Sequence, residues 1–412
     1  MVGPYTKMLQ NLFHKMLLRR HFWRHATYSE IAELYMSRML RMAALYIASA
    51  FMSIYMYQNG YGIGQIAIFW SVFYLFKTIS ALPVAALVAR IGPKHGILIS
   101  NLLYIPSMIS FAFLPILGPW LLLPVLVLQG ISATMYSIGY TIDFSKVKSV
   151  EHAGKEIAYM NILEKITTSI SPLIGGILAY FFGPQFVLVV AAVLFALAAV
   201  PLFNSGEQVQ VGKKLNFVGF PWRLIRQHWM AQVAVGFDVF TSGTVWTLYT
   251  AVIVIGISSN NDIYVITGIL LSVVLIATLI SSYVYGKIID KNGGRVLMKA
   301  SIIANSLTHL IRPFITSPIM VAGANVANEV ATTGYTMPYT RAVFDNADLS
   351  GHRVTYIGMV DMLANFGAFL GAGILGILVL VAGSTFALTN FFFVAGVVVL
   401  LVLTAHFSLY KK

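Results

Sequence analysis

The sequence predicts an all-α membrane protein in which twelve transmembrane helices form two pseudo-symmetric six-helix bundles. Three observations support this fold: an apolar composition, twelve apolar segments of membrane-spanning length, and an internal repeat. Of the 412 residues, 58% are hydrophobic and only 10% are charged, whereas soluble globular domains carry about 25% charged residues. The mean hydropathy of +0.81 agrees with this, so most of the chain is expected to lie in lipid.

Apolar segments long enough to cross a bilayer follow one another along almost the whole chain. A transmembrane helix needs about 20 mainly apolar residues to cross roughly 30 Å of hydrocarbon. Segments of this kind, separated by short polar or Gly/Pro connections, are predicted at residues 28–56, 63–89, 96–117, 120–142, 158–182, 184–204, 230–257, 263–289, 296–315, 318–344, 354–382 and 384–410. Their even spacing leaves no room for a soluble domain.

Basic residues mark one side of the predicted membrane protein. The net charge is +13, and all but three of the 27 Lys and Arg residues lie near the termini or at alternate connections. Because cytoplasmic segments carry an excess of Lys and Arg, we expect both termini to be cytoplasmic and the protein to lie in the plasma (inner) membrane. We therefore attribute the positive charge to the topology of the protein in the membrane and not to nucleic-acid binding. The three exceptions within spans are Lys77, Lys165 and Arg312.

The predicted spans divide the chain into four parts. Residues 1–27 are expected to form a basic amphipathic segment at the cytoplasmic membrane surface, because they contain no uninterrupted apolar run of a signal peptide. Residues 28–204 form the first bundle, residues 205–229 a cytoplasmic linker, and residues 230–412 the second bundle. The chain has no cysteine, which excludes disulfides and thiolate metal sites, and we predict no cofactor.

An internal repeat relates the two predicted bundles. With a gapless offset of 197 positions, residues 154–178 align with residues 351–375, and the acidic Glu164 then meets Asp361. Self-similarity at a fixed offset indicates a duplicated structural unit. Parallel halves of this kind occur in transporters that hold the substrate near the middle of the membrane, at the interface between the halves.

One connection of the second half carries a glycine-containing motif, Gly286-Lys-Ile-Ile-Asp290-Lys291-Asn-Gly293-Gly294-Arg295. It resembles the signature loop of the major facilitator superfamily, and the first-half copy keeps Arg90 but has Ala89 in place of the acid. The resemblance covers the whole chain and implies a twelve-helix transporter. It also implies that Asp290 caps or pairs with a helix end near Arg341 on the cytoplasmic side.

The fifth predicted span contains a second motif, Ser171-Pro172-Leu-Ile-Gly175-Gly176. It is similar to the end of the motif associated with antiporters of the same superfamily, and the match is partial. Antiport is therefore favoured over other modes of coupling.

Polar side chains in the predicted spans are candidates for a transport site, because a charge at membrane depth costs about 2.5–3.5 kcal/mol on insertion scales unless it finds a partner or water. They recur at helical spacing on the seventh and tenth spans, which by the resemblance line a central cavity with the first and fourth. The candidates for the substrate or proton site are Asp238, Glu329, Asn325, Asn328, Ser242, Trp246, Tyr249, Arg41, Gln129 and Tyr136.

Each candidate also has a structural interpretation. Asp238 and Glu329 either exchange protons in a wet cavity or hydrogen-bond neighbouring helices. Arg41 either attracts an anionic substrate group or extends to lipid head groups, and we favour the head groups. Trp246 and Tyr249 either stack on a substrate or pack between helices.

A second set of charged residues is predicted to gate the movement of the halves or to form ion pairs. By the resemblance, the second span lies near the eleventh, so Lys77 is a candidate partner of Asp361, as a gate or as a static bridge; otherwise Lys77 extends to head groups unpaired. The equivalence of Glu164 and Asp361 in the repeat favours a structural task. The full set is Lys77, Asp361, Glu164, Asp290, Arg341 and Arg90.

No enzymatic motif is present, since the sequence lacks both a phosphate-binding Gly-Lys-Ser/Thr loop and a closely spaced His/acid metal set. The predicted function is secondary active transport of a small solute by alternating access, with proton coupling, export and an amphiphilic or cationic substrate favoured. The protein is expected to act as a monomer in lipid. The alternative is a membrane scaffold or receptor of the same fold that no longer transports.

Overall fold

The computed structural model of the protein describes residues 28–147, 153–203, 215–256, 262–407 and 409. The predicted amphipathic segment at residues 1–27 and the first part of the predicted linker, residues 205–214, lie outside the described residues. Within the described ranges the chain is helical and contains no β-strand, which confirms the predicted fold class.

Twelve long helices follow one another in the described residues. The first six are α1 (Tyr28–Gln58), α2 (Ile63–Ile91), α3 (Pro93–Ala112), α4 (Leu122–Val147), α5 (Ala153–Phe182) and α6 (Pro184–Ala199). The second six are α7 (Trp229–Ile255), α8 (Asp262–Ser272 and Leu275–Asn292), α9 (Arg295–Ile311), α10 (Pro318–Leu349), α11 (Arg353–Ala382) and α12 (Ser384–Val399). They coincide with the twelve predicted segments to within a few residues at most ends.

Ten of these helices are long and apolar enough to cross a membrane by length and composition alone. The other two are α9, which has 17 residues, and α10, whose polar face lowers its hydropathy. The two π-helical turns of α7, Thr241–Val245 and Thr250–Ile255, interrupt its regular hydrogen bonding. Such turns are rare and frequently mark functional positions.

Helix contacts repeat between the two halves with a shift of six helices. In the first half α1 packs on α5 and α6, and α3 packs on α4 and α6; in the second half α7 packs on α11 and α12, and α9 packs on α10 and α12. The halves meet through α2 with α11 and through α5 with α8, two contacts that exchange under the same shift. The arrangement is therefore pseudo-symmetric, as the sequence repeat predicts.

The α5–α8 contact brings the two halves together at backbone distance. A Cβ atom on Gly176 would lie 2.3 Å from the carbonyl oxygen of Tyr264, and one on Gly268 would lie 2.5 Å from that of Pro172. The hydroxyl of Tyr264 also donates a hydrogen bond to Oε1 of Gln58 in α1, at 2.5 Å. This end of the molecule, where the first helix ends and the eighth begins, is thus closed between the halves.

The turn between α8 and α9, which carries the predicted signature loop, depends on glycine. Gly293 and Gly294 have φ angles of 72° and 81°, a region that side chains with a Cβ atom rarely adopt. A Cβ atom on Gly294 would in addition lie 2.8 Å from Cβ of Pro338 in α10, whereas one on Gly293 would meet nothing within 4 Å. The loop is thereby fixed against the tenth helix.

We expect Gly294→Ala to destabilise the protein by about 2 kcal/mol, because it combines backbone strain with steric overlap. The matched control Gly293→Ala carries backbone strain alone and should cost about 1 kcal/mol. Unfolding of both purified variants in increasing detergent denaturant measures the difference. Equal losses in the two variants would show that the contact with Pro338 has no energetic importance.

Candidate functional site

Two ion pairs share the fifth helix. Nη2 of Arg38 in α1 is 2.5 Å from Oε2 of Glu164 in α5, which joins two helices of the first half. The next residue, Lys165, places its Nζ 2.7 Å from Oε1 of Glu329 in α10. The Lys165–Glu329 pair therefore connects the first half to the second.

The Lys165–Glu329 pair is accessible to solvent. The side chain of Lys165 is 32% exposed and that of Glu329 is 14% exposed. Tyr46 of α1 is 41% exposed, although its hydroxyl interacts electrostatically with Lys165, Glu329 and Glu164. Tyr46, Lys165 and Glu329 thus place partly exposed polar side chains in the space between α1, α5 and α10. We call this space the central crevice.

Asp238 of α7 lies outside the central crevice, in the core of the second half. It is 2% exposed, and four donors from neighbouring side chains meet its carboxylate. Oδ1 accepts hydrogen bonds from Nε2 of His309 at 2.7 Å and from Oγ of Ser242 at 3.1 Å. Oδ2 accepts from Nδ2 of Asn305 at 2.8 Å and from the hydroxyl of Tyr335 at 2.5 Å. In this conformation Asp238 bonds neighbouring helices, so its predicted exposure to a wet cavity stays a prediction.

The charge that compensates Asp238 comes from Arg312 at the end of α9. Nη1 of Arg312 lies 2.8 Å from Nδ1 of His309. Since arginine has no acceptor, Nδ1 of His309 accepts this bond, and its Nε2–H donates to Asp238. His309 is accordingly a neutral imidazole that connects a buried cation to a buried carboxylate.

Ser242 connects this buried network to a partly exposed surface. Its Oγ receives a hydrogen bond from Nη1 of Arg312 at 3.3 Å and lies 3.4 Å from Oδ1 of Asn328 in α10. Both Ser242 and Asn328 are partly exposed, and Asn328 precedes Glu329 in sequence. Ser242 belongs to the π-helical turn Thr241–Val245, so the irregular turn is where the network reaches the surface.

Arg41 of α1 is the counterpart of Asp238 in the first half. It is 1% exposed and donates to Oδ1 of Asn101 at 2.6 Å and to Oγ of Ser100 at 3.2 Å. Its guanidinium lies 3.9 Å above the ring centre of Tyr136, a cation–π contact. The expectation that Arg41 extends to lipid head groups is wrong, because side chains of α3 and α4 supply its polar partners inside the bundle.

The two buried networks are related by the repeat but have opposite charge. Arg41 and Asp238 are 197 positions apart, the same offset that aligns α5 with α11. Each is hydrogen-bonded to an asparagine of the third helix of its half, Asn101 and Asn305, and each contacts a tyrosine of the fourth, Tyr136 and Tyr335. Duplication has thus preserved the site, and the charge at its centre differs between the halves.

The remaining candidates for the substrate site are packed between helices. Trp246 donates from Nε1 to Oδ1 of Asn325 at 2.6 Å, and Arg312 lies 4.6 Å above its ring. The hydroxyl of Tyr249 donates to the carbonyl oxygen of Ile315 at 2.9 Å. Gln129 donates to the hydroxyl of Tyr104 at 2.5 Å. These side chains are buried, so in this conformation they stabilise the bundles.

The predicted partners Lys77 and Asp361 interact, but the described contacts contain no ion pair between them. Asp361 of α11 instead accepts hydrogen bonds from Oγ of Ser137 in α4 at 2.6 Å and from Nδ2 of Asn365 at 2.8 Å. Lys77 lies within electrostatic range of Asp361 and 5.4 Å from the ring centre of Tyr74. The contact from Ser137 to Asp361 joins the two halves, and the gating role of Lys77 stays a prediction.

The predicted contacts of the signature loop are partly visible. Arg341 of α10 donates from Nη1 to the carbonyl oxygen of Ile289 at 3.0 Å, which binds α10 to the last turn of α8. Asp290 is the next residue and is partly exposed, and Arg90 at the end of α2 is exposed. The structure therefore brings Arg341 to the helix end that contains Asp290, and the role of Asp290 as a cap or ion-pair partner stays a prediction.

Several side chains in these networks are not among the site residues predicted from the sequence, including Lys165, His309, Arg312 and Tyr335. Lys165 follows Glu164 directly. Because adjacent residues in a helix point in different directions, nothing in the local sequence indicates that Lys165 pairs with a residue of the other half. His309 and Arg312 are one helical turn apart near the end of α9, a spacing that does indicate a shared face. No group of three or more metal-ligating side chains gathers among the described residues.

A membrane fold of two six-helix bundles, with a charged and solvent-accessible site between them, defines a transporter of small solutes. The chain belongs to the major facilitator superfamily, whose family description matches residues 34–260. This confirms the resemblance seen in the signature loop, and members of this family are transporters and not enzymes.

Relatives and solved structures agree with this assignment. The chain is 22% identical over 285 residues to the multi-drug resistance efflux pump PmrA homolog of Lactococcus lactis subsp. lactis (strain IL1403), covering 66% of this chain and 69% of that protein. Its fold is similar to that of the human organic anion transporter MFSD10 (TETRAN), with a TM-score of 0.65 and 13% identity over 91% of this chain and 100% of that one. The transporter FucP in its outward conformation gives a TM-score of 0.64 and 13% identity over 93% and 98%.

Proposed function

We propose that the protein exports a small solute in exchange for protons, and that Glu329 is the proton-accepting group. The observation that carries this proposal is the ion pair between Lys165 and Glu329, which joins the two halves and is partly exposed. A proton that reaches Glu329 neutralises it and removes its attraction for Lys165. Protonation thereby weakens a contact between two bodies that must move relative to each other in alternating access.

Glu329 is a better candidate than Asp238 because of its surroundings. Asp238 is buried and accepts four hydrogen bonds, so its protonation requires several partners to rearrange. Glu329 is partly exposed, and the described groups that act on it come from four helices. They are Lys165 of α5, Tyr46 of α1, Thr278 of α8 and Thr333 of its own helix. Export is favoured because the curated relative is named an efflux pump.

We expect Glu329→Gln to abolish the pH dependence of the conformational equilibrium, because glutamine cannot take up a proton. The chain contains no cysteine, so spin labels can be placed on cysteines introduced at the exposed Leu87 in α2 and Val296 in α9. Pulsed electron resonance then measures the distance between the halves as pH is lowered. The wild-type distribution should shift with pH, and that of the variant should stay constant.

Glu164→Gln is the matched control, since it removes a carboxylate of the same region that pairs inside one half. It should retain the pH-dependent shift. A shift that persists unchanged in Glu329→Gln would refute the proton-accepting role. Proton movement driven by members of a broad solute library in proteoliposomes separates a carrier from the alternative scaffold, for which no solute would move protons.

A further inference from the structure

The Lys165–Glu329 ion pair also bears on the chemistry of the solute. A solute that enters the central crevice meets a cation and a carboxylate side by side, 2.7 Å apart and both partly exposed. We infer that the transported solute is a zwitterion, whose ammonium group binds Glu329 and whose carboxylate binds Lys165. This inference rests on the proposed transport function and specifies the class of its substrate.

Solutes of different charge would leave different protein charges in the site unpaired. A simple cation that binds Glu329 displaces Lys165, and the nearest other carboxylate, Glu164, is already engaged by Arg38 at 2.5 Å. A simple anion that binds Lys165 leaves Glu329 without a countercharge. An unpaired charge that the bound solute shields from water is strongly disfavoured. A zwitterion replaces one ion pair by two and leaves neither protein charge uncompensated.

The groups around the pair suit a small solute with an apolar segment between its charges. Oγ1 of Thr333 donates to Oε1 of Glu329 at 3.0 Å, which holds the carboxylate in place after Lys165 moves away. The exposed Tyr46 beside the pair offers a ring face for alkyl groups and a hydroxyl for polar ones. The site therefore combines two opposite charges with an aromatic surface.

Binding of such a solute is expected to compete with protonation of Glu329. A proton on Glu329 removes the carboxylate that holds the ammonium group, so proton and zwitterion compete for the same side chain. Competition for one site is what exchange transport requires, because only one of the two ligands is carried in each direction. The substrate class and the proposed direction of coupling are thus mutually consistent.

The test compares matched ligands that differ only in charge. Glycine, β-alanine, γ-aminobutyrate and ε-aminocaproate are titrated against the purified full-length protein in nanodiscs, each beside the alkylamine and the alkanoate of the same chain length. Changes in intrinsic tryptophan fluorescence or thermal stability report binding. At least one zwitterion should bind about tenfold more tightly than both of its singly charged counterparts, since each of those leaves one charge unpaired.

Two variants decide whether this preference comes from the ion pair. Lys165→Met combined with Glu329→Gln removes both charges, and its preference should fall to less than about twofold. Lys165→Glu combined with Glu329→Lys keeps a reversed pair and should keep the preference; melting curves show that both variants fold. A wild-type protein that binds no zwitterion better than its counterparts overturns the inference, and so does a neutral variant that keeps the preference. The pH-dependent distance change is measured separately, so the proton-accepting role of Glu329 stands or falls on its own.

Discussion

A methyl group added at Gly236 is expected to destabilise the second bundle by about 3 kcal/mol or more. The α7–α11 contact is closer than any side chain permits, since a Cβ atom on Gly236 would lie 1.8 Å from the carbonyl oxygen of Ala364. One on Gly367 would lie equally close, at 1.8 Å, to that of Val233. Both neighbours are backbone atoms that cannot rotate away, so Gly236→Ala forces the helices apart along their whole contact.

Gly243→Ala is the matched control for this substitution, because it lies in the same helix and its Cβ atom would meet nothing within 4 Å. Alanine also favours a helix over glycine by about 1 kcal/mol, so the control should melt at or above the wild-type temperature. Thermal melting and the yield of folded protein in detergent measure both variants. If Gly236→Ala melted with the control, the two helices would have to be further apart than the structure places them.

The fold was predictable from local features of the chain. Twelve apolar segments and alternating basic connections are properties of composition that do not depend on which helix touches which. The close approach of α7 and α11 was not predictable in this way. Gly236 and Gly367 are two of 33 glycines, and only the packed structure distinguishes them from Gly243, which faces open space.

The candidate site was predictable only in part, and adjacent residues show why. Glu164 and Lys165 differ by about 100° in direction around α5, so Glu164 reaches α1 in its own half and Lys165 reaches α10 in the other. The sequence spacing fixes this angle but not which neighbour lies on each side. Polar spacing did place Glu329 and Asn328 on the polar side of α10. In the structure Glu329 contacts Lys165 of the other half and Asn328 lies next to Ser242 of α7.

The repeat contained a signal that spacing within one helix did not. At the offset that aligns the halves, Arg41 meets Asp238, a cation opposite an anion at equivalent places in two bundles. A lipid-facing residue within a span has no reason to be charged in both copies, so this equivalence favours a position inside the bundle for each. The partners Asn101 and Asn305 could be found by the same comparison, although their larger offset requires a length change between the copies.

Asp238→Asn is expected to cost about 3–5 kcal/mol of stability, the range for removing one partner of a buried ion pair. Arg312 then remains buried without a countercharge. All four groups that meet the carboxylate donate hydrogen bonds to it, from His309, Ser242, Asn305 and Tyr335. The asparagine side chain has an NH2 group in place of one carboxylate oxygen. The two groups that donated to that oxygen then face another donor, so half of the four hydrogen bonds are lost.

Removing the opposite charge tests this explanation. Asp238→Asn combined with Arg312→Met leaves no uncompensated charge. The double variant should therefore lose less stability than the sum of the two single losses, and the difference, the coupling energy, should be about 1–3 kcal/mol. Unfolding of the four proteins in a double-mutant cycle measures that coupling. Strict additivity would mean that Arg312 does not compensate Asp238 through His309. If Asp238→Asn keeps the pH-dependent distance change of the wild type, the role of Asp238 is to stabilise the second bundle, and Glu329 takes up the proton. If a folded Asp238→Asn protein loses that distance change, the buried network is part of the proton pathway.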